Sequence, residues 1–304
     1  MEEPLISVII PTCKRPPAMV KRALDSVINQ SYKNLEIIVV NDSPADFAQR
    51  KAVEQLIKTL DDHRLRYIKH DQNLGGSAAR NTGLLASRGE FIAFLDDDDQ
   101  WLPGKLQKQM AKMSDANTGL VYCNYKMVDS TTQSTRLIDR CIAGSVFDDL
   151  MLGNFIGSTS FVLVRRRCFE QCGLFDTSML SSQDHDMWLR IARKFKVDCV
   201  NESLVIYHIH DGERITTNPR SKIQGIQAIN KKYADYLATH PKAKSTRLIM
   251  LTPYYLQLGD GKKALAIYWQ SVKLAPWAIK RNLAYLKHIA RFFLFRKSYG
   301  KNAP

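Results

Sequence analysis

The chain has 304 residues, 45% hydrophobic and 24% charged, which is ordinary for a globular protein and enough for one large or two smaller cores. No apolar stretch approaches the ~20 residues needed to cross a bilayer, and Met1-Glu-Glu-Pro4 lacks the basic and apolar regions of a signal peptide, so the expected location is the cytoplasm. The formal charge of +14 is uneven: residues 219–304 carry 17 Lys and Arg against two acids, Asp235 and Asp260, and the remainder is close to neutral.

Short apolar runs alternate with helical stretches from the start. Leu5-Ile-Ser-Val-Ile-Ile10 reads as a strand, and Pro16 and Pro17 can open a helix through Val20, Leu24, Val27 and Ile28. A strand at Leu35 to Val40, a helix at Ala45 to Leu60, a strand at Leu65 to Ile68 and a helix at Ser77 to Ser87 follow. Phe91 to Leu95 and Gly119 to Cys123 complete the strand-like runs. Strand and helix alternating over ~120 residues predict a parallel sheet covered on both faces, with ligands at the carboxyl ends of its strands. Three polar segments fall at those ends: Pro11-Thr-Cys-Lys-Arg15, Asn41-Asp-Ser43 and Asp96 to Asp99. They should open on one crevice.

Each segment has a chemical use. Asp42, leaving a buried strand, could accept hydrogen bonds from a base or ribose, or could cap the next helix. Asn73-Leu-Gly-Gly76 joins a glycine pair to a helix start, where backbone N–H groups and Arg80 could meet a phosphate; a glycine turn with a structural Arg is the competing reading. Four successive carboxylates, Asp96 to Asp99, have no Lys or Arg between Arg88 and Lys105, so solvent, protonation or a divalent cation must relieve their repulsion. Mg²⁺ or Mn²⁺ would suit such hard oxygen donors. Strand alternation would send Asp96 and Asp98 to one side and Asp97 and Asp99 to the other. Neither GxGxxG nor GxxxxGK[ST] occurs, which argues against hydride transfer and ATP hydrolysis of those classes. The six cysteines form no CxxC pair, so free buried thiols are expected rather than a zinc site or a disulfide framework.

The motifs Val8-Ile-Ile-Pro-Thr12, Val39-Val-Asn-Asp-Ser43, Asn73 to Gly83 and Phe94-Leu-Asp-Asp-Asp-Asp-Gln-Trp101, in this order, closely resemble family 2 glycosyltransferases. The resemblance covers roughly Ile6 to Thr216. It implies the GT-A nucleotide-diphospho-sugar transferase fold: α/β, Rossmann-like, a mixed and mostly parallel sheet flanked by helices. A catalytic domain at 1–218, with donor half 1–100 and acceptor half 101–218, would precede a basic helical extension at 219–304. By the same resemblance Pro11, Thr12, Arg15, Asp42, Asn73, Gly76, Arg80, Asp96 and Asp97 would contact the nucleotide, and the implied donor is a UDP-sugar. Asp96 and Asp98 match the two acids of the D-x-D motif that holds the divalent metal, although Asp97 and Asp99 share their spacing.

Ser181-Ser-Gln-Asp-His-Asp-Met-Trp188 looks like the family's Glu-Asp-x-x-x-Trp segment, which makes Asp184 the general base of an inverting transfer and Asp186 the fallback. Asp184 could instead cap a helix from Asp186 to Phe195. In Tyr207-His-Ile-His210, His210 is preferred over His208 as a residue reaching the metal or diphosphate, on motif position alone. Three departures stand out. Cys13-Lys14 replaces the family's Tyr-Asn, Gln183 its Glu, and Ser43-Pro44 its Gly-Ser. The absence of Gln-x-x-Arg-Trp argues for one sugar added per encounter.

Tyr255 to Pro276 resembles a single tetratricopeptide-like helical hairpin, which should pack on the catalytic domain or on another chain, as in a homo-oligomer. A final helix from Trp277 to Tyr299 would place Ile279, Leu283, Leu286, Ile289 and Phe293 opposite Lys280, Arg281, Lys287, His288 and Arg291. Such a helix reads either as an anchor at the inner face of an anionic membrane, beside lipid-linked acceptors, or as one packed on the protein. No nucleic-acid motif accompanies the charge. Two other classes compete with the transferase: a nucleotidyltransferase of related fold, and a non-catalytic scaffold acting through the tail.

Overall fold

The computed structural model describes residues 3–129, 131–209 and 218–294. The chain divides into two compact units: 1–147 with 155–177 and 184–211, and 148–154 with 178–183 and 212–304.

In the first unit the elements run β1 (Ile6–Thr12), α1 (Pro17–Ile28), β2 (Leu35–Asn41), α2 (Arg50–Thr59), β3 (Leu65–Lys69), α3 (Gly76–Ala86) and β4 (Phe91–Phe94). They continue with β5 (Gln100–Trp101), α4 (Lys105–Ala111), β6 (Thr118–Asp129) and β7 (Thr135–Ile138). After α5 (Phe147–Leu152), which past Phe147 belongs to the second unit, come a 3-10 turn (Thr159–Phe161), β8 (Val162–Arg165), α6 (Arg166–Cys172), α7 (Gln183–Ala192, in the first unit from Asp184) and β9 (Lys196–Ile209). The sheet order is β3-β2-β1-β4-β8-β6-β9-β5, with β7 paired to β6. Strands β3, β2, β1 and β4 are parallel; β8 runs against both β4 and β6, and β6 and β9 are again parallel. The expected mixed, mostly parallel sheet is therefore present.

The chain steps outward from β1 to β2 and β3, then returns to β4 on the other side of β1. A gap opens at the carboxyl ends of β1 and β4, where successive connections leave in opposite directions. Burial on both faces explains the near-continuous apolar runs: every residue of β2 and β4 is buried. Helix α3 lies directly on β1, because Gly83 permits it; a Cβ there would come within 2.4 Å of Ile9 Cγ2.

Helix α2 starts at Arg50 rather than Ala45, since Phe47 N–H bonds Pro44 C=O at 3.1 Å and the preceding residues turn before the helix begins. Strand β6 continues past the expected Cys123 to Asp129, held by β7 and β9. The expectation of free cysteines holds for Cys13, Cys123, Cys168 and Cys172, but Cys141 and Cys199 form a disulfide with Cα atoms 5.7 Å apart. Their separation of 58 residues hides the pairing from the sequence; the bridge Gly144 to Val197 brings the two segments together.

Beneath the crevice sits a buried lysine. Lys105 is fully buried, with its Nζ 4.0 Å from the Trp101 ring centroid and donating to Gln109 Oε1 at 2.7 Å. Gln109 in turn donates to the carbonyls of Val121 and Phe161, and Trp101 Nε1 donates to Ser160 O at 2.8 Å. These bonds hold the backbone carbonyls of Ser160 and Phe161.

The second unit contains α8 (Pro219–Lys232), α9 (Ala234–Thr239), α10 (Pro241–Ile249), α11 (Thr252–Gln257), α12 (Gly261–Leu274) and α13 (Ile279–Leu294). The expected hairpin is α11–α12, with Asp260 capping α12 through Lys263 N–H at 3.0 Å. It finds its packing partners within its own unit, in a core that includes Ile223, Ile226, Ile249, Tyr268, Ile289 and Phe292. The stripe expected on α13 is corrected. Asn282, Ile289 and Phe292 are buried, whereas Ile279, Leu283 and Phe293 are exposed. The helix turns its 282/289/292 face inward because Asn282 Nδ2 donates to Ala275 O at 3.1 Å and Arg281 Nη2 to Ser245 Oγ at 2.7 Å. Among the described residues, no helix is long and apolar enough to cross a membrane.

Burial lowers the Lys105 pKa from 10.5 to about 8. The unfolded chain therefore holds this proton to higher pH than the folded one, and stability rises as pH climbs from 8 towards 10.5. Comparing urea unfolding of the native chain and Lys105→Met, the native chain should gain on the order of 2 kcal/mol relative to the variant between those limits. A difference that stays constant with pH would contradict a charged, desolvated Lys105.

Candidate functional site

The crevice at the ends of β1, β2 and β4 is assembled by hydrogen bonds between segments far apart in sequence. Asp42 N–H donates to Thr12 O at 2.8 Å, extending the pairing of β1 and β2 by one step. The Asp42 carboxylate is buried and accepts from the N–H groups of Leu74 and Gly75, each at 2.8 Å, and pairs with His70 Nδ1 at 2.7 Å. Asn73 Nδ2 reaches Asp42 O and Cys13 Sγ, both at 3.0 Å, and His70 Nε2 lies 2.9 Å from Thr82 Oγ1. Gly75, at φ +90°, provides the left-handed turn that aims these N–H groups at the carboxylate before α3 starts at Gly76. Asp42 thus clamps the glycine loop to the end of β2.

The four aspartates leave β4 in a turn instead of a strand, with Asp99 N–H bonded to Asp96 O at 3.0 Å. The expected two-and-two alternation is accordingly replaced by a division among different partners. Asp96 pairs with Arg80 and accepts from Ser158 Oγ at 3.0 Å and Thr159 Oγ1 at 3.3 Å. Arg15 bridges the next two, with Nε 3.0 Å from Asp97 Oδ1 and Nη2 2.9 Å from Asp98 Oδ2. Arg22 Nη2 adds a bond to Asp98 O at 2.6 Å. Burial pushes the Asp97 carboxyl up to about 6, with Arg15 opposing the shift. Asp99 is fully buried, and neither carboxylate oxygen has a hydrogen-bond partner of normal geometry among the described residues. Its pKa is raised well above the ordinary range by burial and then by the charges of Asp96 and Asp98.

These acids are hard oxygen donors, and the Asp99 carboxylate, buried beside Asp96 and Asp98 without a hydrogen bond of normal geometry among the described residues, fits a divalent cation in chemistry. As they stand, no three acidic, histidine or cysteine side chains among the described residues surround a common point. Asp96 is turned to Arg80 and Asp98 to Arg15. His210 lies outside the described residues; His208 is in β9, paired with Val128 of β6.

Helix α7 starts at Gln183, three residues before the expected Asp186, so Asp184 and Asp186 both sit in its first turn. Asp184 is half-buried, and its Oδ1 accepts its neighbour's N–H, from His185, at 2.7 Å. Asp186 is completely buried and pairs with Arg190 at 2.9 Å, while Arg190 also donates to the carbonyls of Cys172 and Leu174. One helical turn beyond Asp184 and on its face, Trp188 Nε1 donates to Gly157 O at 3.0 Å. The next residue, Ser158, is the one that bonds Asp96. Asp184 thus lies on the α7 face that packs against the segment holding the carboxylate cluster.

The profile of "Glycosyl transferase family 2" matches residues 7–173. The chain belongs to this family. It is 32% identical over 236 residues to WcaA of Escherichia coli (strain K12), a glycosyl transferase named for colanic acid biosynthesis, covering 76% of this chain and 82% of that one. It is 27% identical over 203 residues to WfgD of Escherichia coli, named as a UDP-Glc:alpha-D-GlcNAc-diphosphoundecaprenol beta-1,3-glucosyltransferase, covering 66% and 75%. Among solved structures, S. aureus TarS 1–349 in complex with UDP-GlcNAc matches with a TM-score of 0.60 at 13% identity, over 95% of this chain and 91% of that one, a likeness of fold.

Several residues of this glycosyltransferase's crevice escaped the sequence reading. Ser158, Thr159 and Ser160 hold Asp96, yet Gly157-Ser-Thr-Ser160 carries no motif beyond its small polar composition. His70 and Arg22 face the site from positions without a distinctive pattern.

Burial separates the two candidate bases. Replacing Asp186 with Ala strands Arg190 and should cost about 3 kcal/mol in urea unfolding, whereas Asp184→Ala should cost no more than about 1 kcal/mol. Equal losses would mean that the Asp186–Arg190 pair does not organise α7.

Proposed function

We propose that this glycosyltransferase is inverting and non-processive, moving a sugar from a UDP-sugar to a hydroxyl of a saccharide or lipid-linked acceptor during cell-surface polysaccharide synthesis. The observation that carries this reading is the meeting of Thr12, Arg15, Asp42, Arg80 and Asp96 to Asp98 at the β1/β4 switch point, where a nucleotide diphosphate is expected in a sheet of this order. The names of WcaA and WfgD support an envelope polysaccharide and an acceptor carried on a lipid, and the ligands named for WfgD and TarS support a UDP donor. In this reading residues 1–218 form the catalytic part, cytoplasmic and able to work beside a membrane.

The chain's own groups then divide the reaction. Asp184 accepts the proton of the acceptor hydroxyl as its oxygen attacks the anomeric carbon. The bond from that carbon to the donor diphosphate breaks on the opposite face, its electron pair leaves with the diphosphate, and the centre inverts. Asp42 positions the base by holding the 73–75 loop, and Arg15 and Arg80 turn from the acids towards the departing charge. A divalent cation held by Asp96 and Asp98 would supply further neutralisation of the diphosphate.

A panel of nucleotide sugars, scored for Mn²⁺-dependent hydrolysis and thermal stabilisation, should single out a UDP-sugar. With that donor, Asp184→Asn should lower transfer by roughly 10²- to 10⁴-fold while UDP affinity stays within about threefold. Undiminished transfer would remove Asp184 as the base, and preference for a nucleoside triphosphate would favour a nucleotidyltransferase instead.

A further inference from the structure

We propose that the outer face of α13, with Trp277, is a docking surface for an anionic lipid bilayer. The helix is divided lengthwise in three. Asn282, Ile289 and Phe292 face the helical core, at 6%, 2% and 3% exposure. On the open side, at 100° per residue, Ile279, Leu283, Ala290 and Leu294 fall within an arc of about 60°. Lys280, Lys287 and Arg291 occupy the adjoining arc of about 40°. Trp277 and Ile279 are each 63% exposed, Leu283 51% and Leu294 75%.

An apolar strip beside a cationic strip matches the layering of a membrane interface, where the first enters the acyl boundary and the second stays at the phosphates. The charge is free for that purpose. No Asp or Glu occurs from Gly261 to Leu294, and no ion pair among the described residues engages Lys280, Lys287 or Arg291. A second copy of the same face is a poorer occupant, because a symmetric contact would bring its own cations together. Nucleic acid would leave the large apolar strip in water. The inference goes beyond the sugar-transfer reading and does not depend on it.

The test uses the full chain with vesicles of phosphatidylcholine alone or with about one-third phosphatidylglycerol. Sedimentation should show binding to the anionic vesicles only, weakening as salt is raised. At about fivefold per basic residue, Lys280→Ala/Lys287→Ala/Arg291→Ala should weaken it by roughly 100-fold. Leu283→Glu/Leu294→Glu should abolish it, and the blue shift of tryptophan emission on vesicles should vanish in Trp277→Phe. Transfer to a soluble acceptor should be unchanged in all three variants, which separates this surface from the crevice. Equal binding to neutral vesicles, no binding, or binding indifferent to both multiple variants would overturn the proposal. So would a concentration-dependent dimer that Leu283→Glu/Leu294→Glu dissociates without altering vesicle binding.

Discussion

Crowding of four carboxylates at the end of one buried strand is the constraint from which the crevice is built. Two like charges 4 Å apart repel by about 4 kcal/mol at an effective dielectric constant of 20, so a turn of four ionised acids requires counter-charge from elsewhere. The chain brings that charge from separate elements: Arg80 from α3 to Asp96, and Arg15 from the loop after β1 to Asp97 and Asp98. Hydroxyls of Ser158 and Thr159 complete the first acid, and the last is buried with its pKa raised. Each compensating group comes from a connection at the carboxyl edge of the sheet. The electrostatics of Asp96 to Asp99 and the topology of β1 and β4 therefore select the same place.

Compensation by arginine has a chemical consequence. A guanidinium held between carboxylates is matched in shape and charge to a phosphate as well, so the partners that steady the acids are also fitted to a diphosphate. The Asp42 cluster is of another kind. There the carboxylate is consumed by Leu74, Gly75 and His70, all from this chain, and its effect is to fix a loop. The glycine loop is thus held by backbone N–H bonds to one carboxylate, while Arg15 and Arg80 are held by ion pairs to the others.

Much of this was legible in the sequence because it rests on local pattern. Strand-like runs located β1 to β4, and the polar residues directly after them located the crevice, since a strand's end is also the edge of a sheet. Contacts that depend on distant pairing were not legible. The disulfide of Cys141 with Cys199 and the hold of Ser158 on Asp96 arise from strand order, which no spacing reveals. The alternation expected for Asp96 to Asp99 failed because it assumed that the strand continued; an i to i+3 turn intervened. Asp184 and Asp186 differ by only two positions on one helix. Their burial, half-buried against complete, separates them and follows from what α7 packs against.

The helical unit shows the same limit on charge. Its composition is strongly basic, but its cations have opposite fates. Arg247 is buried and donates to Asn230 Oδ1 at 2.8 Å, its pKa lowered by burial to about 10, and Arg281 is drawn in by Ser245 and Thr246. Lys280, Lys287 and Arg291 remain outside. A count of charges treats all five alike, whereas an anionic surface can meet only the outer three. The inward turn of Asn282 and Arg281 is what rotates Ile279, Leu283 and Leu294 outward beside them. Two hydrogen-bonding side chains on one face of α13 thereby determine which apolar residues its other face presents to solvent.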